Sequence, residues 1–291
     1  MSEIQPQVSV VIITHNSLPA LTDCLSSLKA AATKTPIDLI VVDNESADKT
    51  VDQVIEQFAE ARIIRNERNL GFAAACNQGA KSAPGEYLLF LNPDVQIDKD
   101  AIERLVAVAA ERDRVGLVSG RLRFPDGSFQ ATCRQFPTIG NMVFSRGSAI
   151  TRLFTADCSQ SKAYTLPDYM EITEVPAVAA TMVMIRKDLF DKTGGFDDRF
   201  FMFMEDTDLS LRLHQSGYIN LVVPAAGGIH QWGAGSDLGR RRRLRYHHLS
   251  VWKYFLKHFP NGFSVVLLPL LLTLNFCLRL ILPRRDREGR V

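Results

Sequence analysis

The chain opens on Val8 to Ile13, a β-branched apolar run that ends at the polar Thr14-His15-Asn16. A run without alternation predicts a strand buried on both faces, as in parallel sheets. Leu18, Leu21, Leu25 and Leu28 then recur at helical spacing through Ala31. The alternation repeats. Strands are predicted at Ile37–Val42, Arg62–Arg65, Tyr87–Leu91 and Val115–Val118. Between them lie helices from caps at Ser46 and Asp48 through Phe58, over Phe72–Lys81, and over Ala101–Glu111. Strand–helix alternation over about the first 120 residues implies a doubly wound α/β sheet. Such sheets bind ligands beyond the carboxyl ends of their strands, which singles out Thr14, Asn16, Asp43, Asn44 and Asp94.

The pattern loosens from Arg123 to Thr173, where Asp126-Gly127 marks a turn and the polar stretch Ser145–Tyr169 predicts a loop lining or covering a cleft. Alternation resumes with a strand at Val175–Ile185 and a helix at Glu205–Ser216, on which Asp208 is spaced to pair with Arg212 and which Gly217 stops. Short strands follow at Ile219–Val223 and Gly228–His230. Beyond Gly239 the character changes to an aromatic, basic helix (Tyr246–Phe259) and a strongly apolar stretch (Gly262–Leu282) with Arg279 its sole charge. The chain therefore divides into an α/β domain, 1–239, and a C-terminal extension, 240–291.

At 291 residues and 46% hydrophobic, the chain has enough apolar material for one large core plus an appendage. A net charge of +2 offers no global attraction for nucleic acid, although Arg240–Arg243 and Arg245 form one basic block. The five cysteines, Cys24, Cys76, Cys133, Cys158 and Cys277, contain no Cys-x-x-Cys pair, which argues against a disulfide framework or zinc site and fits a reducing compartment. No secretory leader, Gly-x-Gly-x-x-Gly fingerprint or P-loop is visible. Phe263–Leu278 is uncharged but falls short of the ~20 apolar residues that span a bilayer. With basic flanks on both sides it predicts an interfacial or re-entrant anchor on a membrane surface, with a core or dimer-forming helix as the alternative.

Two acidic groups stand out chemically. Asp94, in Leu91-Asn92-Pro93-Asp94, follows a strand end, where an acid can hold a divalent cation. Glu205 and Asp206 follow the aromatic run Phe200–Met204 at a helix start, where an acid can take a proton from an acceptor. Simpler readings exist: Asp94 as a helix cap, Asp206 as a first-turn acid favoured by the helix dipole. The dipole accounts for one acid but not for Glu205, Asp206 and Asp208 together. His15, His214, His247 and His248 have no functional claim, and Cys133 is pocket wall rather than nucleophile.

Five segments in register carry a resemblance: Val10–Asn16, Val42-Asp43-Asn44-x-Ser46, Asn69-Leu70-Gly71-Phe72-Ala73, Leu91–Asp94, and Gly194–Asp197 with Glu205-Asp206-x-Asp208-Leu209. In that order, over roughly residues 8–258, the chain resembles the family 2 glycosyltransferases of the GT-A fold. Asp126-Gly127-Ser128-x-Gln130 with Arg134-x-Phe136-Pro137-Thr138 is similar to rhamnosyltransferase-like members that build bacterial cell-surface polysaccharides. The resemblance implies inverting transfer of a sugar, rhamnose from dTDP-rhamnose or a UDP-hexose or UDP-galactofuranose residue, onto a glycan or lipid-linked glycan hydroxyl. By the same resemblance, Thr14 and Asn16 line the nucleotide pocket, Asp43 bonds the base, Asn69 and Gly71 lie along nucleoside and sugar, and Asn92 and Asp94 stand in the family's Asp-x-Asp. Asp94 and His230 would hold Mg²⁺ or Mn²⁺. Asp206 would be the general base, with Glu205 orienting it or binding sugar. The implied location is the cytoplasmic face of a bacterial inner membrane, as a peripheral protein, monomeric or homodimeric. A non-catalytic nucleotide-sugar-binding scaffold is the rival of another class. Relatives often carry Asp-Trp where Val175–Ala180 stands here, and tyrosine at the position of His15.

Overall fold

The computed structural model describes residues 7–33, 35–143, 164–235 and 238–281. Its first half follows the sequence pattern closely. β1 (Val8–Thr14) pairs in parallel with β2 (Ile37–Asn44), in a register that runs from Val8 opposite Ile37 to Thr14 opposite Asp43. β3 (Arg62–Asn66) extends the sheet beyond β2, and β4 (Tyr87–Leu91) lies on the other side of β1. The helices α1 (Leu18–Ala32), α2 (Thr50–Gln57), α3 (Phe72–Ser82) and α4 (Ala101–Glu111) make the crossovers. Successive side chains of β1 point to opposite faces. Val10 and Ile12 pack with Leu21, Leu25 and Leu105, whereas Val11 packs with Ala75 and Cys76. Burial on both faces is why this strand reads as an unbroken apolar run.

The second half departs from a purely parallel sheet. After β5 (Val95–Ile97) and β6 (Val115–Arg123), the chain returns as β11 (Met182–Arg186), antiparallel to both β4 and β6 and lying between them. β12 (Ile219–His230) is parallel to β6 and antiparallel to β5, so the strand order is β3-β2-β1-β4-β11-β6-β12-β5.

Several predicted elements are redrawn. The strand expected at Val175–Ile185 is three strands, β9 (Thr173–Val175), β10 (Ala177–Val178) and β11. Pro176 offers no ladder donor, and beyond it β10 leaves the main sheet to pair with β8 (Cys133–Arg134). The two short strands expected at Ile219–Val223 and Gly228–His230 are one strand, β12, whose register shifts around Pro224 without ending it. Ser46 does not cap α2: its hydroxyl accepts the Asn16 N–H at 2.9 Å, while Asp48 Oδ1 takes the Thr50 N–H at 3.0 Å. The aromatic, basic helix begins at Arg240 rather than Tyr246 and runs to His258. In the expected loop, residues 144–163 lie outside the described residues, as do Cys158 and the terminal Arg284, Arg285, Arg287 and Arg290.

Two further short helices, α5 (Ile139–Val143) and α6 (Lys187–Lys192), precede α7 (Glu205–Gln215). α7 packs Leu209 and Leu213 into the core and ties down the Arg240–His258 helix, α8. The fully buried Asp208 carboxylate lies 2.6 Å from Lys257 Nζ, 2.7 Å from His258 Nε2 and 2.9 Å from Arg212 Nε, the last being the predicted i,i+4 pair. Burial alone would raise the Asp208 carboxyl. The hydrogen bonds from His258 and Lys257, with the Arg212 charge, outweigh burial and hold it below the usual carboxylate range.

Asp208→Ala should cost about 3 kcal/mol, near the low end for breaking a buried pair, because Lys257 and Arg212 retain 22% and 21% side-chain exposure. Chemical denaturation measures it. A depressed folded-state pKa stabilises fully above the unfolded value of about 3.9 and loses that contribution as pH falls through the folded value. Parent and variant should therefore differ most at neutral pH and converge toward acid.

Candidate active site

Four groups of polar side chains gather at the carboxyl ends of the strands. The first is built by the β1–β2 register. Thr14 and Asp43 are opposite one another, and Thr14 Oγ1 donates to Asp43 Oδ1 at 2.9 Å. The Ser46 N–H donates to Asp43 Oδ2 at 3.1 Å, so the carboxylate is held by both oxygens and keeps lone pairs for a ligand. Asn16 sits at a left-handed φ of 52°, and its Oδ1 accepts the Ala47 N–H at 2.7 Å. His15 Nδ1 donates to the Asn44 carbonyl at 2.6 Å, a structural bond that accounts for this histidine.

The second group is the turn before α3. Asn69 Oδ1 accepts the Gly71 N–H at 2.9 Å, and the Asn44 side-chain amide donates to the Gly71 carbonyl at 3.2 Å. Gly71 has φ +87°, and a Cβ there would lie 2.4 Å from the Phe201 carbonyl oxygen. Only glycine allows this approach, which brings the aromatic run before α7 against the turn that leads into α3.

The third group pairs Asp94 with His230. β5 and β12 place His230 opposite Val95, next to Asp94. Both residues are buried, and His230 Nε2 lies 3.1 Å from Asp94 Oδ1. Gln130 Oε1 is 2.8 Å from His230 Nδ1, a contact that keeps Nδ1 protonated; in the Nδ1-protonated neutral tautomer, the form that binds a metal, the Nε2 lone pair faces Asp94. The Gly235 N–H holds Asp94 Oδ2 at 3.0 Å, but no donor reaches the buried Oδ1. Two lone pairs facing each other in a buried site are unfavourable alone and suit a cation. Ligands at about 2.1 Å from a metal and at right angles to each other stand about 3 Å apart. Among the described residues no third His, Cys, Asp or Glu joins them. A hard cation here would take its remaining ligands from water and phosphate oxygens. Asn92 is half-buried in the same turn, with its backbone bonded to Thr181 and Val95.

The fourth group opens α7. Phe203 and Met204 both adopt left-handed φ values of about 70°, a strained pair that turns the chain into the helix at Glu205. Asp206 Oδ1 accepts the Thr207 N–H at 2.6 Å; Oδ2 lies 3.3 Å from both Arg134 Nη2 and the Ala180 N–H. Glu205 Oε2 is buried without a partner. Burial, then the neighbouring Asp206 charge, push the Glu205 carboxyl well above the usual range. Donors thus converge on Asp206, while Glu205 holds its proton more strongly than an ordinary carboxyl does. Burial also pushes the Cys133 thiol up to about 11, which leaves it unreactive at neutral pH, as expected for pocket wall.

Two residues quoted in the sequence motifs without a role prove structural to the site. Gln130 selects the His230 tautomer, and Arg134 supports Asp206. They are four residues apart, so their Cα atoms lie within about 14 Å of each other. That short segment links the Asp94–His230 pair to the Glu205–Asp206 pair through two side-chain hydrogen bonds. A bond from Ser17 Oγ to the Gly235 carbonyl, 2.8 Å, joins the Asp94 loop to the end of β1. The segment Val175–Ala180, where small residues stand in place of Asp-Trp, lies beside Asp206 through the Ala180 contact.

Residues 9–194 match Glycosyl transferase family 2. The N-acetylglucosaminyl-diphospho-decaprenol L-rhamnosyltransferase of Mycobacterium tuberculosis is 29% identical over 87% of this chain and 84% of its own length. The rhamnosyltransferase WbbL of Escherichia coli is 24% identical over 86% and 93%. Among solved structures, GalNAc-T7 with UDP, GalNAc and Mn²⁺ superposes with a TM-score of 0.61 at 18% identity, over 87% of this chain but 48% of that one. The mannosyltransferase PcManGT of Pyrobaculum calidifontis, with GDP-Man and Mn²⁺, gives 0.59 at 16% identity over 96% and 75%. These structures share the fold. The chain belongs to glycosyl transferase family 2, has the GT-A fold, and is similar to its rhamnosyltransferases.

Proposed function

We propose that this protein is an inverting, metal-dependent glycosyltransferase that moves a sugar from a nucleoside-diphosphate donor to a hydroxyl of a lipid-linked or polysaccharide acceptor. The observation that carries the reading is the buried Asp94–His230 pair, which suits a divalent cation and is linked to Asp206 through the Gln130–Arg134 segment. Thr14, Asn16 and Asp43 bind the nucleoside, with Asn69 and Gly71 alongside it. Asn92, Asp94 and His230 receive the diphosphate and Mg²⁺ or Mn²⁺. A divalent cation held there would offset charge on the departing diphosphate.

Asp206 takes the proton of the acceptor hydroxyl as that oxygen forms its bond to the anomeric carbon and the bond to the diphosphate breaks. The diphosphate leaves with the electron pair, and attack from the opposite face inverts the configuration. The protonated Glu205 keeps a second negative charge away from Asp206, and Arg134 orients it. Similarity to two rhamnosyltransferases supports a reading with dTDP-rhamnose as donor, a lipid-linked glycan as acceptor class and the cytoplasmic face of the membrane as location.

Calorimetry with dTDP-rhamnose, UDP-glucose, UDP-galactose and GDP-mannose, each with Mn²⁺ and with EDTA, should find one donor bound in a metal-dependent way. His230→Ala should remove that dependence; metal-independent binding of every donor would overturn the metal assignment. Asp206→Asn should lower transfer by about 10²–10⁴-fold with donor affinity near that of the parent. Equal loss of both would sink the base assignment.

Arg134→Ala removes the cation that opposes the rise of the Glu205 carboxyl, so the acid pair holds its proton to higher pH. The acid limb of the rate–pH profile should move upward. A uniform fall in rate with an unmoved limb would leave Arg134 a packing role.

A further inference from the structure

From Gly239 to Ile281 the sequence holds eight lysines and arginines and no acid. This stretch folds as two helices, α8 and the continuous helix formed by a π turn at Phe263–Leu267 and α9 (Leu268–Ile281). They pack lengthwise and antiparallel. Trp252 Nε1 donates to the Ser264 carbonyl at 3.1 Å near the closed end, Asn275 Nδ2 meets His248 Nε2 at 2.9 Å midway, and Arg240 Nη2 donates to the Arg279 carbonyl at 2.7 Å at the open end. Leu268 and Leu272 are buried against Val251, Tyr254 and Phe255.

The opposite side of the second helix is bare. Val266, Leu270, Leu274 and Ile281 are 61%, 62%, 51% and 78% exposed. Their spacing of four, four and seven puts them on one face. At the open end, exposed Arg240, Arg241 and Arg242 line one cleft with Leu280, so the basic cluster adjoins the apolar stripe. An apolar stripe of this size marks an interaction surface. The acid-free charge selects the occupant. In a two-fold dimer this face would meet itself: a parallel pairing sets arginines against arginines, and an antiparallel one sets them against the other end of a hairpin that carries no acid. An anionic bilayer offers both an acyl boundary for the leucines and negative headgroups for the arginines.

The hairpin contacts also select the mode. The 19 residues from Phe263 to Ile281 are long and apolar enough to cross a bilayer. Crossing with these contacts intact would carry α8, with Lys253 and its arginines, into hydrocarbon at several kcal/mol per charge. We propose that Phe263–Ile281 lies flat in the interface of an anionic phospholipid bilayer, with its Val266/Leu270/Leu274/Ile281 face in the acyl boundary and Arg240–Arg242 at the headgroups. Lys257 clamps α8 to Asp208, two residues from Asp206. Docking would then hold the acid-bearing helix at a set height above the bilayer, within reach of an acceptor carried on a lipid. That last consequence rests on the transfer reading; the docking itself does not.

The test is co-sedimentation of the full chain with phosphatidylcholine vesicles, with and without phosphatidylglycerol. The parent should bind the anionic vesicles, bind neutral ones at least about tenfold more weakly, and be released by alkaline carbonate. Leu270→Glu with Leu274→Glu should lower vesicle binding about tenfold or more, with melting temperature and donor affinity unchanged. Three outcomes would overturn the proposal: the double variant sedimenting like the parent, the parent resisting carbonate as a spanning helix does, or a dimer in ultracentrifugation that the double variant abolishes without vesicle binding. Donor affinity on the same samples reports separately on the transfer reading.

Discussion

The backbone hydrogen bonds of Met182–Arg186 join two halves that would otherwise be separate sheets. On one side stand the four parallel strands that carry the Thr14–Asp43 group; on the other stand β6, β12 and β5, which carry the Asp94–His230 pair. β11 is antiparallel to both neighbours, so it can enter from the far side of the chain without a crossover helix. Every strand face along this line is apolar: Met182 and Met184 lie in one core layer, Val183 and Ile185 in the other. The site exists because that five-residue strand aligns the two sets of strand ends along one edge.

Charge is managed by the same economy of position. Among the described residues five acids are buried at or near the strand and helix ends of the site, and each is treated differently. Asp43 is held by Thr14 and Ser46, Asp208 by three cationic or ring nitrogens, and Asp206 by Arg134 and two backbone N–H groups. Asp94 keeps a buried oxygen, Oδ1, without a hydrogen-bond partner. Since an uncompensated buried oxygen is costly, its place opposite the His230 lone pair points to a ligand rather than to structure. Glu205, the other acid with an orphaned oxygen, meets the same cost by holding its proton more strongly than an ordinary carboxyl does.

The C-terminal helices belong to this arrangement. Asp208 and Asp197 both reach Lys257, so the helix that carries the basic block is bonded to the helix that carries Asp206. Phe201, which stacks on Tyr246 at 4.2 Å, ties the same helix to the Gly71 turn. A surface placed on these helices is thereby placed relative to the site.

The sequence by itself determined the strand–helix alternation through Glu111 and the identity of the acids at strand and helix ends. Those features rest on local periodicity and on residues within a few positions of each other. It also determined the pairing of Asp208 with Arg212, which one helical turn decides. Only the tertiary structure decided that Val175–Ile185 splits at Pro176, that β12 runs unbroken past Pro224, and that β11 inverts the sheet. Each depends on partners 43 to 106 residues away in the chain. Gln130 and Arg134 were visible as letters in a motif, but their roles arise from a histidine and an aspartate 100 and 72 residues distant. Long-range pairing carries no local signature, because the loop-closure entropy it overcomes is met by the fold as a whole rather than by neighbouring residues.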